Sequence, residues 1–182
     1  RHTEERLQDI VRSHEYFDSM KCKVYLLHGE MTDDELHAVY LHEKVKAFLT
    51  LTHGEGFGLP IFEAAYSGLP VIAPGWSGQL DFLVDEKGGE NFYNVAFDIQ
   101  PVQKEAEWRG IIDAGSMWAY PRKQSAKQKM RECYDDVNSK KNLKTCEYAK
   151  QLRERFDEQK LYSQFVESIE SITSEQNSQV FV

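Results

Sequence analysis

Apolar positions recur at helical spacing from about residue 3 to residue 19, at Leu7, Ile10 and Val11 and then at Tyr16 and Phe17, and predict a helix. The run KCKVYLLHG, Lys21–Gly29, reads as a short buried strand that closes on a glycine. Thr32 is a natural N-cap with Glu35 three positions later, a capping-box pattern, and Leu36 and Tyr40 carry a helical stripe onward. KAFLTLT (Lys46–Thr52) predicts a second strand, about Pro60 to Tyr66 a helix, and Pro70–Ala73 a third strand. Asp85–Asn91 is a turn by composition, and Phe92–Val102 a strand or extended segment. Trp118 and Pro121 read as a structural turn. From about Arg122 the chain turns helical, with Ala126, Met130, Cys133, Tyr134 and Val137 on one face. A further helix runs through Cys146, Ala149, Leu152 and Phe156, and a last one through Leu161, Phe165, Ile169 and Ile172. The Ser- and Gln-rich end beyond Ser174 is expected to fray. No internal repeat is evident.

Strand, helix, strand, helix, strand with short connections and near-continuous apolar strands is the order of an α/β fold. It predicts a parallel sheet with helices on both faces, followed by extra C-terminal helices. The expected domain spans residues 1–173, and 174–182 form a tail. The chain opens at Arg1, without Met and inside a helical pattern, so it is expected to be part of something longer.

Composition narrows the function. Of 182 residues, 41% are hydrophobic, enough for a sizeable core, and no apolar run approaches the ~18–20 residues of a membrane span. Thirty acidic against 22 basic residues give a net charge of -8. That speaks against a nucleic-acid partner, since a phosphate backbone wants a basic face, yet it leaves room for a local phosphate site made of backbone N–H groups. Cys22, Cys133 and Cys146 are scattered, with no CxxC, and no sequon or signal peptide is present. Free thiols in a reducing, cytoplasmic setting are the expectation. His37 and His42 are five apart and miss the spacing of a helical zinc pair, so no metal site is expected.

The stretch LTLTHGEGFGLPIFEAAYSGLPVIA, Leu49–Ala73, carries the chemistry. It sits at the carboxyl end of a predicted parallel strand, where ligands bind in open sheets. Gly54, Gly56 and Gly58 allow close backbone approach, and Pro60 suits the start of a helix. The free N–H groups and dipole of that helix favour an anion, a diphosphate above all. Glutamates beside an anion site make sense if they bind hydroxyls, because a carboxylate only accepts hydrogen bonds. A nucleotide-sugar, with hydroxyls on both sides of a diphosphate, has that shape. The plainer alternatives are that Glu63 is a dipole-favoured residue in the first helical turn and that Glu55 is a solvated loop residue. His53 is positioned to donate to a sugar or phosphate oxygen, or to make a structural bond. Trp76 and Ser77, in the next strand-end loop, are candidates to wall the site or to offer a donor.

HGEGFGLPIFEAAYSGLPVIA resembles the E-x7-E signature of retaining glycosyltransferases of the GT-B fold (family 4, glycosyl transferases group 1), which include sucrose synthase, glycogen synthase and mannosyltransferases. VYLLHGEMTDDELHAVY, GWSGQLDFL and, more loosely, MWAYPRKQSAKQKMRECYDD extend the likeness over about Val24 to Asp136. The resemblance implies a Rossmann-like domain, the C-terminal, donor-binding half of a GT-B enzyme. It implies that Glu55 takes the catalytic position and binds hydroxyls of the donor sugar. Backbone N–H groups of Gly56, Phe57, Gly58 and Leu59 would face sugar and phosphates, Glu63 would hold the ribose diol, and Gly29 and Met31 would lie near the base. The donor would be a UDP or GDP sugar as co-substrate, with no cofactor and no metal. The resemblance also implies a further, N-terminal domain that binds the acceptor, and cationic residues upstream of Arg1 that meet the leaving diphosphate. Lys21 and Lys23 only flank a strand. The chain alone is therefore expected to hold donor weakly and to be inactive. The main alternative is a non-catalytic nucleotide-sugar-binding module on the same fold, and a more distant one is a nucleotide-sugar epimerase.

Overall fold

A strand buried on both sides organises the larger part of the molecule. The computed structural model describes residues 2–13, 19, 22–139 and 144–178, and the chain divides into two units, Arg1–Glu35 and Leu36–Val182. In the larger unit, β1 (Phe48–Leu49), β2 (Val71–Pro74) and β3 (Tyr93–Val95) form a parallel sheet in that order, with Phe48 opposite Val71 and Ile72 opposite Tyr93. Every residue of β2 is buried. Because side chains alternate across a strand, Val71 and Ala73 enter one core and Ile72 the other.

The first core is closed by α3 (Leu59–Tyr66) and α6 (Lys144–Arg155), through Ile61, Ala64, Ala65, Tyr148 and Leu152. The second is closed by α5 (Lys123–Asn138), whose Ala126 and Cys133 meet Ile72, Tyr93 and Val95. The expected α/β architecture, a parallel sheet with helices on both faces, is thus observed. A short helix, α4 (Leu80–Leu83), follows β2 and buries Phe82 and Leu83. Asp85–Asn91 is a turn as expected, with Asp85 Oδ1 accepting from the Lys87 and Gly89 N–H groups at 2.9 and 2.7 Å.

Several expectations are corrected. Phe92–Val102 is not one strand. After β3 the chain leaves the parallel sheet, and β4 (Phe97–Pro101) pairs instead with β5 (Met117–Pro121) as an antiparallel hairpin. Trp118 and Pro121 belong to that second strand and not to a turn. An extended run says nothing about which partner its N–H and C=O groups will find, and here the two halves find different ones. On α5, Met130 and Tyr134 stand at the surface, 38% and 60% exposed, because only the Ala126–Cys133 line faces the sheet. The last helix, α7 (Glu158–Ser178), keeps Leu161, Phe165, Ile169 and Ile172 exposed. The Cys146 side chain and the side chains beyond Thr173 lie outside the described residues.

In the smaller unit, α1 spans His2–Arg12, and Tyr16 and Phe17 lie outside the described residues. The strand expected at Lys21–Gly29 does not form: Val24–Leu27 are exposed, Tyr25 at 80%, and no sheet among the described residues includes them. Apolar, β-branched residues supply a preference, but a strand exists only when its backbone pairs. The capping box is as expected. Glu35 N–H donates to Thr32 Oγ1 at 3.2 Å and Thr32 N–H to Glu35 Oε2 at 2.8 Å, opening α2 (Asp33–Leu41). Among the described residues no helix is long and apolar enough to cross a membrane.

One bond ties the sheet to α5 in a way that pH can report. The buried Tyr93 hydroxyl donates to Asp136 Oδ2 at 3.0 Å, and burial first, then this bond, pushes the phenol well above its ordinary value. The folded chain thus keeps that proton when the unfolded chain has lost it. Its contribution is complete below about pH 10, the unfolded tyrosine value, and declines as pH rises beyond it. Tyr93→Phe should lower stability by about 1 kcal/mol at neutral pH and flatten the alkaline decline in urea unfolding measured between about pH 7 and 11. An unchanged slope in the variant would contradict this assignment.

Candidate functional site

Two loops leave the carboxyl ends of adjacent parallel strands and meet. The first, Thr50–Gly58, connects β1 to α3, and the second, Gly75–Gln79, connects β2 to α4. The β1 ladder reaches into the first loop, since Thr50 N–H still donates to the Ile72 carbonyl at 3.0 Å.

The first loop ends on Gly58, the N-cap of α3, with φ 87°. A Cβ there would be strained and would crowd Ile61 Cδ1 at 3.2 Å. The Gly58 carbonyl accepts from Ile61 and Phe62 N–H at 2.9 Å each, which starts the helix, and Pro60 is its second residue, with no N–H to satisfy. The backbone N–H groups of Gly56, Phe57, Gly58 and Leu59 donate to no other group among the described residues. Four successive free donors thus converge on a helix start. The loop is anchored by the Phe57 ring, 5.0 Å from Phe82 and 5.5 Å from Phe62, centroid to centroid.

The Glu55 backbone is held on both sides. Its carbonyl accepts from the Ser77 hydroxyl at 2.6 Å and from Gly78 N–H at 3.2 Å, while its own N–H donates to Ser77 Oγ at 3.3 Å. Its side chain runs over the helix start: a Cβ placed on Gly58 would lie 3.5 and 3.6 Å from Glu55 Cβ and Cγ. Glu63 is the fifth residue of α3, beyond the first turn, so the reading of it as a first-turn dipole residue is overturned. It is half-buried and lies beside the Tyr40 hydroxyl of α2, close enough for its charge to act on the phenol. Burial, then the Glu63 charge, raise the Tyr40 phenol above its ordinary value. Tyr40 therefore stays neutral beside the carboxylate. The sequence marked Tyr40 only as part of a helical stripe, and nothing in its spacing announced this neighbour.

His53 faces the hairpin. Its Nδ1 lies 2.8 Å from the Ala119 carbonyl, so that nitrogen carries the proton, because a carbonyl only accepts. Ala119 N–H returns a bond to the His53 carbonyl at 3.2 Å. The imidazole stacks on Trp118 at 5.0 Å and 7° and tilts on Tyr120 at 4.5 Å. Trp76, 37% exposed, lays its indole against Gly54 and contacts Phe97 of β4 at 5.7 Å. Glu55, Gly56–Leu59, His53, Trp76 and Ser77 thus lie on the two loops, and Glu63 lies further along α3, beside Tyr40. Gly29 (φ 146°) and Met31 belong to the Arg1–Glu35 unit. Among the described residues no group of three or more His, Cys, Asp or Glu side chains is placed to hold a metal ion.

This arrangement suits a ligand with an anionic centre and flanking hydroxyls: free N–H groups for the first, two carboxylates for the second. A comparison with known families finds the same region. The model described as "Glycosyl transferases group 1" matches residues 5–101. No curated protein and no solved structure matches the chain. The family match starts upstream of Val24 and ends at Pro101, so it takes in both strand-end loops and β4 but not β5 or α5. It covers more than half of the 182 residues, on an α/β architecture that fits a Rossmann-like GT-B half, and the chain belongs to the glycosyl transferases group 1 family.

Proposed function

We propose that this domain holds the donor of a retaining glycosyl transfer, a nucleoside-diphosphate sugar, in the cradle between Glu55 and Glu63. The observation that carries the reading is the run of four unengaged N–H groups, Gly56 to Leu59, at the start of α3 and beside the Glu55 side chain. Donors preorganised around a departing diphosphate stabilise the charge that develops as the glycosidic bond breaks. Glu55 accepts from sugar hydroxyls, and Glu63, with the neutral Tyr40 phenol beside it, presents its lone pairs to the ribose diol. Acceptor choice lies mainly in the partner domain. A partner domain completes the site with acceptor contacts and cationic groups for the diphosphate, and no metal or cofactor takes part.

Thermal shift with UDP, GDP, ADP and their glucose or mannose conjugates tests this, because a ligand that binds only the folded state raises its stability with concentration. At least one conjugate should raise the melting temperature at millimolar concentration. Glu63→Ala should weaken nucleotide and conjugate alike by about tenfold, and Glu55→Ala should weaken the conjugate only. Equal losses on plain nucleotide from both substitutions would refute the division of labour.

Tyr40→Phe keeps the ring and removes the hydroxyl beside Glu63. It should weaken plain nucleotide by about threefold to fivefold and leave untouched the extra affinity that the sugar confers, as isothermal titration would report. A loss confined to the sugar-bearing ligand would place Glu63 at the wrong end of the donor.

A further inference from the structure

We propose that Ser77 is a positioning residue for Glu55, and that its hydroxyl and its left-handed backbone together aim the Glu55 carboxylate before a ligand arrives. The inference rests on the donor reading above and adds a residue that acts through Glu55 and does not touch the sugar.

Three observations carry it. Ser77 has φ 74° and is the one non-glycine residue with positive φ among the described residues. A residue with a Cβ avoids that region unless its surroundings hold it there. What holds it is the opposite loop. The hydroxyl donates to the Glu55 carbonyl at 2.6 Å and lies 3.3 Å from the Glu55 N–H, so one side chain engages both backbone polar groups of the glutamate. The next residue closes the contact from the backbone side. Gly78 N–H donates to the same carbonyl at 3.2 Å, and a Cβ on Gly78 would fall 1.8 Å from the Gly56 carbonyl oxygen. At Gly78 the two loops approach so closely that no side chain fits there.

The alternative role, a hydrogen bond from Ser77 to a ligand, conflicts with this arrangement. A hydroxyl has a single proton to donate, and that proton is committed to Glu55. What Ser77 controls is the orientation of the peptide units on either side of the Glu55 Cα, and therefore the direction in which its side chain leaves the backbone. Misplacement of a reacting group by about 1 Å can cost a hundredfold in rate, so a rigid clamp on the backbone of such a residue has a function where a solvated loop glutamate would need none.

The test is a double-mutant cycle between Ser77→Gly and Glu55→Gln in the full chain. The readout is the ratio of affinities for UDP-glucose, GDP-mannose and ADP-glucose over the matching plain diphosphates, by isothermal titration. Glycine accepts the positive φ without strain, so Ser77→Gly loses the hydroxyl with little change in melting temperature, and a binding loss is then not a folding loss. Plain diphosphate affinity should fall less than conjugate affinity, because Gly78 N–H still holds the peptide unit that carries the Gly56 N–H, and the sugar ratio should fall about fivefold. In the Glu55→Gln background, Ser77→Gly should lower the ratio no further. Losses that add in the double variant, or a Ser77→Gly ratio equal to that of the parent while Glu55→Gln lowers it, overturn the positioning role and leave the donor reading standing. A ratio indifferent to Glu55→Gln, or no binding by any of the three sugars, overturns the donor reading itself.

Discussion

The burial of β2 on both faces is the constraint from which the rest follows. Four residues, Val71–Pro74, are buried on both sides, so each face must be covered by a separate layer. Val71 and Ala73 require α3 and α6, and Ile72 requires α5. Removing water from a strand of this kind stabilises it by about 25 cal/mol for each Å² of apolar surface, but only if both layers are present. Parallel pairing on both sides then places the ends of β1 and β2 next to each other. The chain leaving β1 and the chain leaving β2 cannot diverge. They pack as backbone on backbone at Gly78, where there is no space for a side chain, with Ser77 beside it at positive φ.

That crowding separates the polar groups of the first loop into two sets. The Glu55 N–H and C=O are satisfied by the second loop, while the next four N–H groups have no partner within the described residues. A buried donor left without a partner is costly, whereas exposed donors at a helix start attract anions. The glycines let the donors approach a ligand, and the Phe57 ring holds them from the opposite side. The β4–β5 hairpin joins through His53, whose ring nitrogen and carbonyl both bond to Ala119. The residue two positions before Glu55 is thus fixed to an element outside the parallel sheet.

The fold class was legible because it rests on short, continuous apolar runs and on turn chemistry, and both are local. The capping box at Thr32 and the glycine loop into α3 were legible for the same reason. What was not legible depends on partners distant in sequence. Phe92–Val102 reads as one extended piece, yet Tyr93–Val95 and Phe97–Pro101 pair with different strands, and only the second pairs with Met117–Pro121. Val24–Leu27 has the composition of a strand and pairs with none among the described residues. In the site, Glu55, Glu63 and the glycines announce themselves by type and spacing. Tyr40 and the bracing role of Ser77 do not, since a phenol on a core stripe and a serine beside a glycine are common and carry no signature. The family match places the chain among the glycosyl transferases group 1, and the roles of individual residues are the proposal made above.

The interval between the two glutamates has a physical origin in that geometry. Glu55 is fixed by the second loop, and Gly58 by the left-handed turn that starts α3. From Leu59 onward the positions are helical, and each added residue turns the following side chain by about 100° around the axis and advances it about 1.5 Å. Glu63 is the fifth helical residue, and at that angle it meets Tyr40 on α2. One residue more or fewer between Leu59 and Glu63 would carry the carboxylate about a quarter-turn away from Tyr40, and a residue added between Glu55 and Gly58 would break the contact with Ser77. The spacing is therefore tied at both ends, by a clamp on the backbone of the first glutamate and by a phenol beside the side chain of the second. The backbone positions that carry the two carboxylates are thus held relative to each other, because the helix start is fixed at Gly58 and the helix itself is packed into the core by Ile61, Ala64 and Ala65.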